Sequence, residues 1–223
     1  MQNDAKLEIY WGSGSPNSWR VLLGAEAKRI PYESKLLEFS KGDHKKPEFL
    51  AISPRGKMPA IRHGDFTLAE SLAILAYLDR LGPEPALFGR NPREAGRIAC
   101  AISEFECYTR GPLEEVAFAV LFSQTPEAAE RARTAAPGVR AELGRLEETC
   151  GRASWLAGDM LSAADIAVYP FLQLLVRAAG KDAAKPLDLG LLPWESRYPK
   201  LAAWGKRIEG LPGYERTYPP HWK

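Results

Sequence analysis

Hydrophobic spacing changes period after Leu81. Before that residue, short apolar runs alternate with segments of helical spacing; beyond Asn91 the apolar stripes repeat every three and four residues. Leu7 to Trp11 reads as a buried strand, and Pro16 to Arg29 as a helix with Val21, Leu22, Ala25 and Arg29 on one face. Tyr32 to Phe39 reads as a second strand. Ser40 to Ser53 is polar and lysine-rich, a loop with one or two helical turns around Phe49-Leu50. Met58 to Arg62 and Phe66 to Leu68 form a hairpin around His63-Gly64-Asp65. Glu70 to Leu81 is a helix with Ile74, Leu75, Leu78 and Leu81 together, and Gly82-Pro83 stops it.

The second part reads as helix throughout. Asn91-Pro92 opens a helix with Ile98, Ile102 and Phe105 inward, and Gly111-Pro112 is expected to kink or interrupt it. Glu127 to Glu148 is charged and alanine-rich, with a break expected near Pro137-Gly138. Ser162 to Ala179 is apolar enough to be the central helix, and Tyr198 to Glu209 is shorter. Leu161 to Ile166 carries a helix start: Ser162 at N-cap, Asp165 three residues on, and Leu161 placed to meet Ile166. Loss of Asp165 is expected to cost about 1 kcal/mol or more. The division is therefore a βαβ–ββα domain over residues 1–82, a linker over 83–91 with two prolines and a glycine, and an all-α domain over 92–223. A right-handed crossover followed by an antiparallel hairpin is the natural packing of the first.

Composition excludes several classes of function. A net charge of +2 is too small to indicate a nucleic-acid or anionic-membrane partner. No apolar run approaches the ~20 residues of a membrane span, and the polar start Met1-Gln2-Asn3-Asp4 has no signal-peptide core. Cys100, Cys107 and Cys150 form no Cys-x-x-Cys pair and leave an odd one over, which fits a reducing cytoplasm rather than a disulfide scaffold. His44, His63 and His221 lie far apart without metal-ligand spacing, so no metal is expected.

Chemistry concentrates at the turns of the first domain. Ser15 stands at an N-cap with Pro16 at the first helical position, where free backbone N–H groups and the helix dipole favour an anion. The plain alternative is a structural cap. Pro59 within a strand signal implies an edge, a bulge or a cis bond; a cis bond would turn the backbone of Met58 towards an extended ligand. Glu70-Ser71 at a helix start is either a cap or a grip on an amino-acid end group, and His44-Lys45-Lys46 is either a solvated face or a carboxylate clamp. Together they describe a peptide-like ligand with a carboxylate at each end and a thiol near its middle.

The runs His44-Lys45-Lys46-Pro47-Glu48-Phe49-Leu50 and Ser53-Pro54-Arg55-Gly56-Lys57-Met58-Pro59-Ala60-Ile61 resemble the phi-class pattern of the cytosolic glutathione transferase superfamily. Glu70-Ser71-Leu72-Ala73-Ile74 resembles the Glu-Ser-x-Ala-Ile segment shared across its classes, and Leu156 to Asp159 through Ile166 resembles its C-terminal folding motif. The resemblance covers nearly the whole chain. It implies an α/β plus all-α fold: a thioredoxin-like N-terminal domain that binds glutathione as co-substrate, then an all-helical domain that contributes the electrophile site. It places Ser15 at the catalytic serine of the phi, theta and zeta classes. His44 and Lys45 fall on residues that hold the glycine carboxylate, and Lys57 falls beside them. Met58, before Pro59, falls on the residue that pairs with the cysteinyl unit, and Glu70 and Ser71 on those that bind the γ-glutamyl end. It further implies a homodimer.

Departures narrow the chemistry. Ser15-Pro16-Asn17-Ser18 stands where omega-type relatives have Cys-Pro-x-Cys, so mixed-disulfide chemistry through the protein is lost. Ser18-Trp19-Arg20 is similar to the zeta pattern, and Ser15-Pro16-Asn17 to nu-like members. The expected function is activation of the glutathione thiol by Ser15, with Asn17 donating a further hydrogen bond, for attack on a small hydrophobic electrophile. Tyr108, Phe118, Phe122 and Trp222 are candidates for the electrophile wall, and core packing is the alternative for each. A glutathione-dependent peroxidase or disulfide reductase, a zeta-like isomerase, and a non-catalytic glutathione- or partner-binding module stay open.

Overall fold

The computed structural model describes residues 5–82 and 84–222; the polar start 1–4 and the helix stop at Pro83 lie outside them. Two compact units result, one comprising residues up to 87 with those from 211 onward, the other residues 88–210. The tail from Leu211, grouped by sequence with the helical part, belongs to the first unit.

In the first unit, β1 (Leu7–Trp11), α1 (Pro16–Ala27) and β2 (Glu33–Leu36) form the crossover. The short α2 (Pro47–Leu50) precedes β3 (Ala60–His63) and β4 (Phe66–Ala69), and α3 (Ser71–Leu81) closes the unit. Sheet order is β2-β1-β3-β4, with β1 parallel to β2 and antiparallel to β3. Alternation along β1 serves both faces. Leu7, Ile9 and Trp11 pack with Val21, Leu22, Ala25, Ile61, Ile74 and Leu78, whereas Tyr10 faces Phe49, Ile52 and Ala60. The expected strand Tyr32–Phe39 is shortened because its parallel partner stops: Leu37 N donates to Trp11 O at 2.8 Å, and Gly12 then turns β1 away. The hairpin turn is tighter than expected, since His63 pairs with Phe66 and only Gly64 (φ +66°) and Asp65 connect them.

Helix α1 ends before the expected Arg29. Arg29 adopts φ +54°, Ile30 N donates to Ala25 O at 3.0 Å and Arg29 N to Glu26 O at 3.0 Å, a Schellman closure with arginine in the glycine position. Arg29→Gly is expected to relieve about 1 kcal/mol of left-handed strain, partly offset by a more flexible unfolded chain. A urea midpoint no higher than wild type would contradict it. After α3, the chain is pinned back: Asp79 Oδ1 accepts from Lys28 Nζ and from Leu87 N, each at 2.8 Å, and Lys28 Nζ also donates to Pro85 O at 2.6 Å.

In the second unit, α4 (Pro92–Glu104) runs through a π-helical turn, Phe105–Thr109, into α5 (Arg110–Leu121). The expected interruption at Gly111-Pro112 takes this form. Pro112 cannot donate to Tyr108 O and its ring crowds that carbonyl; the helix widens just upstream, where Arg110 N donates to Phe105 O. The break expected at Pro137-Gly138 does not occur. Helix α6 (Pro126–Arg152) continues through Pro137, with Ala128, Ala132, Ala136, Val139 and Leu143 buried along one face on both sides of it. That face packs along α5, and its burial outweighs one lost backbone hydrogen bond. Helix α7 (Ala163–Ala179) is the buried centre, followed by α8 (Trp194–Arg197) and α9 (Pro199–Glu209); α10 (Tyr214–Thr217) returns to the first unit.

The capping box at Ser162 and Asp165 is present, and it is larger than its local sequence implies. Asp165 is fully buried and accepts from Ser162 N, Ser162 Oγ, Leu156 N and Trp204 Nε1, all at 2.8–2.9 Å. Burial pushes its carboxyl above the usual carboxylate range, against the downward pull of those four donors.

Candidate active site

The β1–α1 loop runs close against its neighbours. A Cβ on Gly12 would lie 2.5 Å from Phe39 Cε2 and 3.0 Å from Met58 Cε, and Gly14 adopts φ +78°. Ser15 follows in extended conformation as the N-cap of α1, and its Oγ accepts from Ser18 N at 3.3 Å. The cap is therefore real. It uses only the acceptor side of a half-buried hydroxyl, and the hydroxyl hydrogen is left to donate. Ser18 is fully buried and accepts from Gly12 N at 3.2 Å, which ties the loop to the helix it starts.

Asn17 is oriented by a residue to which the sequence assigned no role. Arg20, fully buried, donates from Nη1 to Asn17 Oδ1 at 3.2 Å and to Ser71 Oγ at 3.3 Å, and Ser71 Oγ donates to Asn17 Oδ1 at 3.2 Å. With its oxygen held by two donors, Asn17 presents its amide hydrogens away from this network. The signal for Arg20 was present, three residues after Asn17 on the same helix face. What could not be read was that Ser71, from another helix, completes the cluster.

Glu70 does not cap its helix. It adopts φ +71° and ψ 114°, makes no side-chain capping bond, and its carboxylate is 71% exposed with Arg55 Nη1 at 3.6 Å. A non-glycine residue in that region costs about 1–3 kcal/mol, and such strain collects at ligand sites. Ser71 serves the Asn17 network rather than a cap.

The remaining candidates form the other side of the rim. The Met58–Pro59 peptide is cis. Ser53 Oγ brackets Lys57, donating to its O at 2.8 Å and accepting from its N at 3.3 Å. A Cβ on Gly56, at φ +60°, would lie 2.9 Å from His44 O, which joins the two loops; the His44 ring packs 5.5 Å from Phe39, itself against Gly12. His44 Nδ1 is enclosed without a hydrogen-bond partner among the described residues, which leaves its other ring nitrogen as the outer one. Lys46 is engaged by Asp43 at 2.7 Å, whereas Lys45 and Lys57 are exposed and make no ion pair among the described residues. A free cation at each of two adjoining loops suits a carboxylate.

The aromatic candidates separate. Phe118 and Phe122 meet edge-on at 5.5 Å, with 42% and 72% of their surface exposed. Tyr108, on the π-helical turn, lines a cavity of about 240 Å³ with Phe105, Thr109, Glu142 and Leu156. Trp222 lies in the first unit, edge-on to Trp19 at 5.5 Å. Among the described residues no cluster of His, Cys, Asp and Glu is arranged to hold a metal ion, and no helix is long and apolar enough to cross a membrane.

Residues 14–81 match the family described as Glutathione S-transferase, N-terminal domain, and residues 126–207 match Glutathione S-transferase, C-terminal domain. The chain is 32% identical to glutathione S-transferase A of Pleuronectes platessa, over 97% of this chain and 92% of that one. It belongs to the glutathione S-transferase family. The structure of a glutathione S-transferase from the Antarctic clam Laternula elliptica superposes with a TM-score of 0.80 at 28% identity, covering 98% of this chain and 94% of that one. A glutathione S-transferase-I bound with lactoylglutathione superposes with a TM-score of 0.79 at 26% identity, covering 96% and 98%. The transferase thus has the thioredoxin-like and all-helical pair of its family, and glutathione is the family's co-substrate.

Proposed function

We propose that this transferase activates the thiol of glutathione for attack on a small hydrophobic electrophile. The observation that carries the proposal is the Ser15 hydroxyl, which caps α1 with its acceptor side and keeps its hydrogen for a thiolate at the positive end of the helix. A thiol of pKa ≈ 8.5 is only a few per cent ionised at neutral pH, and lowering it ~2 units requires ~2.7 kcal/mol in favour of the anion. One charge-assisted hydrogen bond supplies about 1.5–3 kcal/mol, so Ser15, with Asn17 as second donor, is of the right size.

The rest of glutathione follows the rim. Lys45, Lys57 and the outer nitrogen of His44 take the glycine carboxylate, the backbone of Met58 before Pro59 pairs with the cysteinyl unit, and Glu70 takes the γ-glutamyl ammonium. The exposed carboxylate of Glu70, paired at the surface with Arg55 at 3.6 Å, and the exposed ammonium groups of Lys45 and Lys57 support this polarity. Ser71 acts with Arg20 to hold Asn17. The exposed Phe118–Phe122 pair supports a role for these two in holding an apolar co-substrate, and Tyr108 joins them in that role from a cavity of mixed polarity that includes Glu104, Glu142 and Arg145. We also propose that the enzyme works as a homodimer in the cytoplasm.

Glutathione affinity and turnover of chlorodinitrobenzene and of a hydroperoxide form the test. Conjugation faster than the uncatalysed reaction is expected at neutral pH. Tight glutathione binding without turnover of either compound would identify a binding module instead. Turnover of the hydroperoxide alone would identify a peroxidase.

A further inference from the structure

The C-terminal tail follows α1 from one end to the other. Near the C-terminal end, Arg216 Nε donates to Glu26 Oε1 at 3.0 Å. In the first turn, Trp19 Nε1 donates to Thr217 Oγ1 at 2.9 Å, and Tyr218 and Trp222 meet the Trp19 ring edge-on at 5.6 and 5.5 Å. At the N-terminal end the tail finishes on the loop before Ser15. Ser13 Oγ lies 2.7 Å from His221 Nδ1. A Cβ on Gly14 would lie 2.7 Å from His221 Cε1 and 3.2 Å from Trp222 Nε1, so a side chain there would displace the His221 ring, and its φ of +78° favours glycine.

We propose that His221 is a positioning residue for Ser15, a role that rests on the function assigned to Ser15 above. Gly12-Ser13-Gly14 is the stretch whose dihedrals set where the Ser15 hydroxyl points, and its two glycines leave those dihedrals little intrinsic restraint. Ser18 Oγ fixes the loop at Gly12 N. His221 fixes it at Ser13, and the His221 and Trp222 rings close the space beside Gly14. The hydroxyl of Ser13 can donate to a neutral imidazole or accept from a protonated one, so the tie survives either charge state of His221. A donor aimed at a thiolate loses strength steeply when it is misdirected, and a displacement of about 1 Å can cost ~100-fold in rate. The tail therefore acts on the reaction through Ser13 and Gly14 without touching the substrate.

The test combines ultraviolet titration of the bound glutathione thiol, kcat/KM with chlorodinitrobenzene, and Tm, in His221→Leu, His221→Asn, Ser13→Ala and the Ser13→Ala/His221→Leu pair. His221→Leu should raise the bound-thiol pKa by about one unit and lower kcat/KM about threefold at neutral pH. Ser13→Ala, which leaves the tail rings in place, should do the same, and the double variant should be no worse than either single one. His221→Asn places an amide nitrogen where Nδ1 stood and should recover most of the effect. Wild-type thiol pKa in both His221→Leu and Ser13→Ala, or full additivity in the pair, overturns the positioning role whatever happens to Tm. A wild-type enzyme that leaves the bound thiol at its ordinary pKa overturns the assignment of Ser15 itself, and this inference with it.

Discussion

Ser15→Gly should raise the thiol pKa of bound glutathione by about 1–2 units, the loss of one charge-assisted hydrogen bond to an anion. At neutral pH kcat/KM should fall about 3- to 25-fold, because a thiol held ~2 units below 8.5 is mostly ionised there and the thiolate fraction falls by that factor. Glycine is the informative replacement. It costs an N-cap only a few tenths of a kcal/mol, whereas alanine costs about 1, so folding and thiolate stabilisation separate. The pH dependence has a definite sign. Wild-type activity should rise with pH and level off near neutrality; the variant should keep rising towards pH 8–9, where bulk solution ionises the thiol, so the two rates converge at alkaline pH. Identical thiol titrations in wild type and Ser15→Gly would reduce Ser15 to a helix cap.

Asp165→Ala should cost about 3–5 kcal/mol of folding stability, a large part of the 5–15 kcal/mol typical of a folded domain. The carboxylate accepts two bonds on each oxygen: Leu156 N and Trp204 Nε1 on Oδ1, Ser162 N and Oγ on Oδ2. Its removal strands three N–H donors in a fully buried place, at about 1–3 kcal/mol each before relaxation. Asp165→Asn keeps one of the two oxygens and should lose roughly half as much. Urea denaturation reads both. An alanine variant within 1 kcal/mol of wild type would mean that the cluster relaxes or hydrates freely. Glutathione binding by the surviving folded fraction should be unchanged, since Asp165 lies in the second unit and the proposed glutathione residues in the first.

These two residues show how far local sequence carries. At Ser15, Ser-Pro after a strand and a glycine turn already specifies an extended N-cap, because capping depends on residues adjacent in the chain. Asp165 was legible as a cap for the same reason. Its bond to Trp204 was not, because two elements 39 residues apart must first pack. Proline signals depend on the packing around them. Pro112 interrupts its helix as a π-helical turn just upstream, whereas the break expected at Pro137 is overridden within a continuous buried face. The strand at Tyr32 was read too long because a strand's length is set by its partner, and β1 ends at Trp11.

By itself the sequence determined the two-part division of secondary structure, the caps, the turn glycines and the residue types of the proposed glutathione rim. All of these follow from period, dihedral preference and neighbouring side chains. Tertiary structure alone decided which capping groups stay free for a ligand. It turned the oxygen of Asn17 inward onto Arg20 and Ser71, left Glu70 strained and uncapping, gave Lys46 to Asp43 while sparing Lys45, and seated His221 on Ser13. The physical reason is that a hydrogen-bonding group is available for chemistry only when the rest of the fold does not satisfy it, and that depends on residues far apart in the chain.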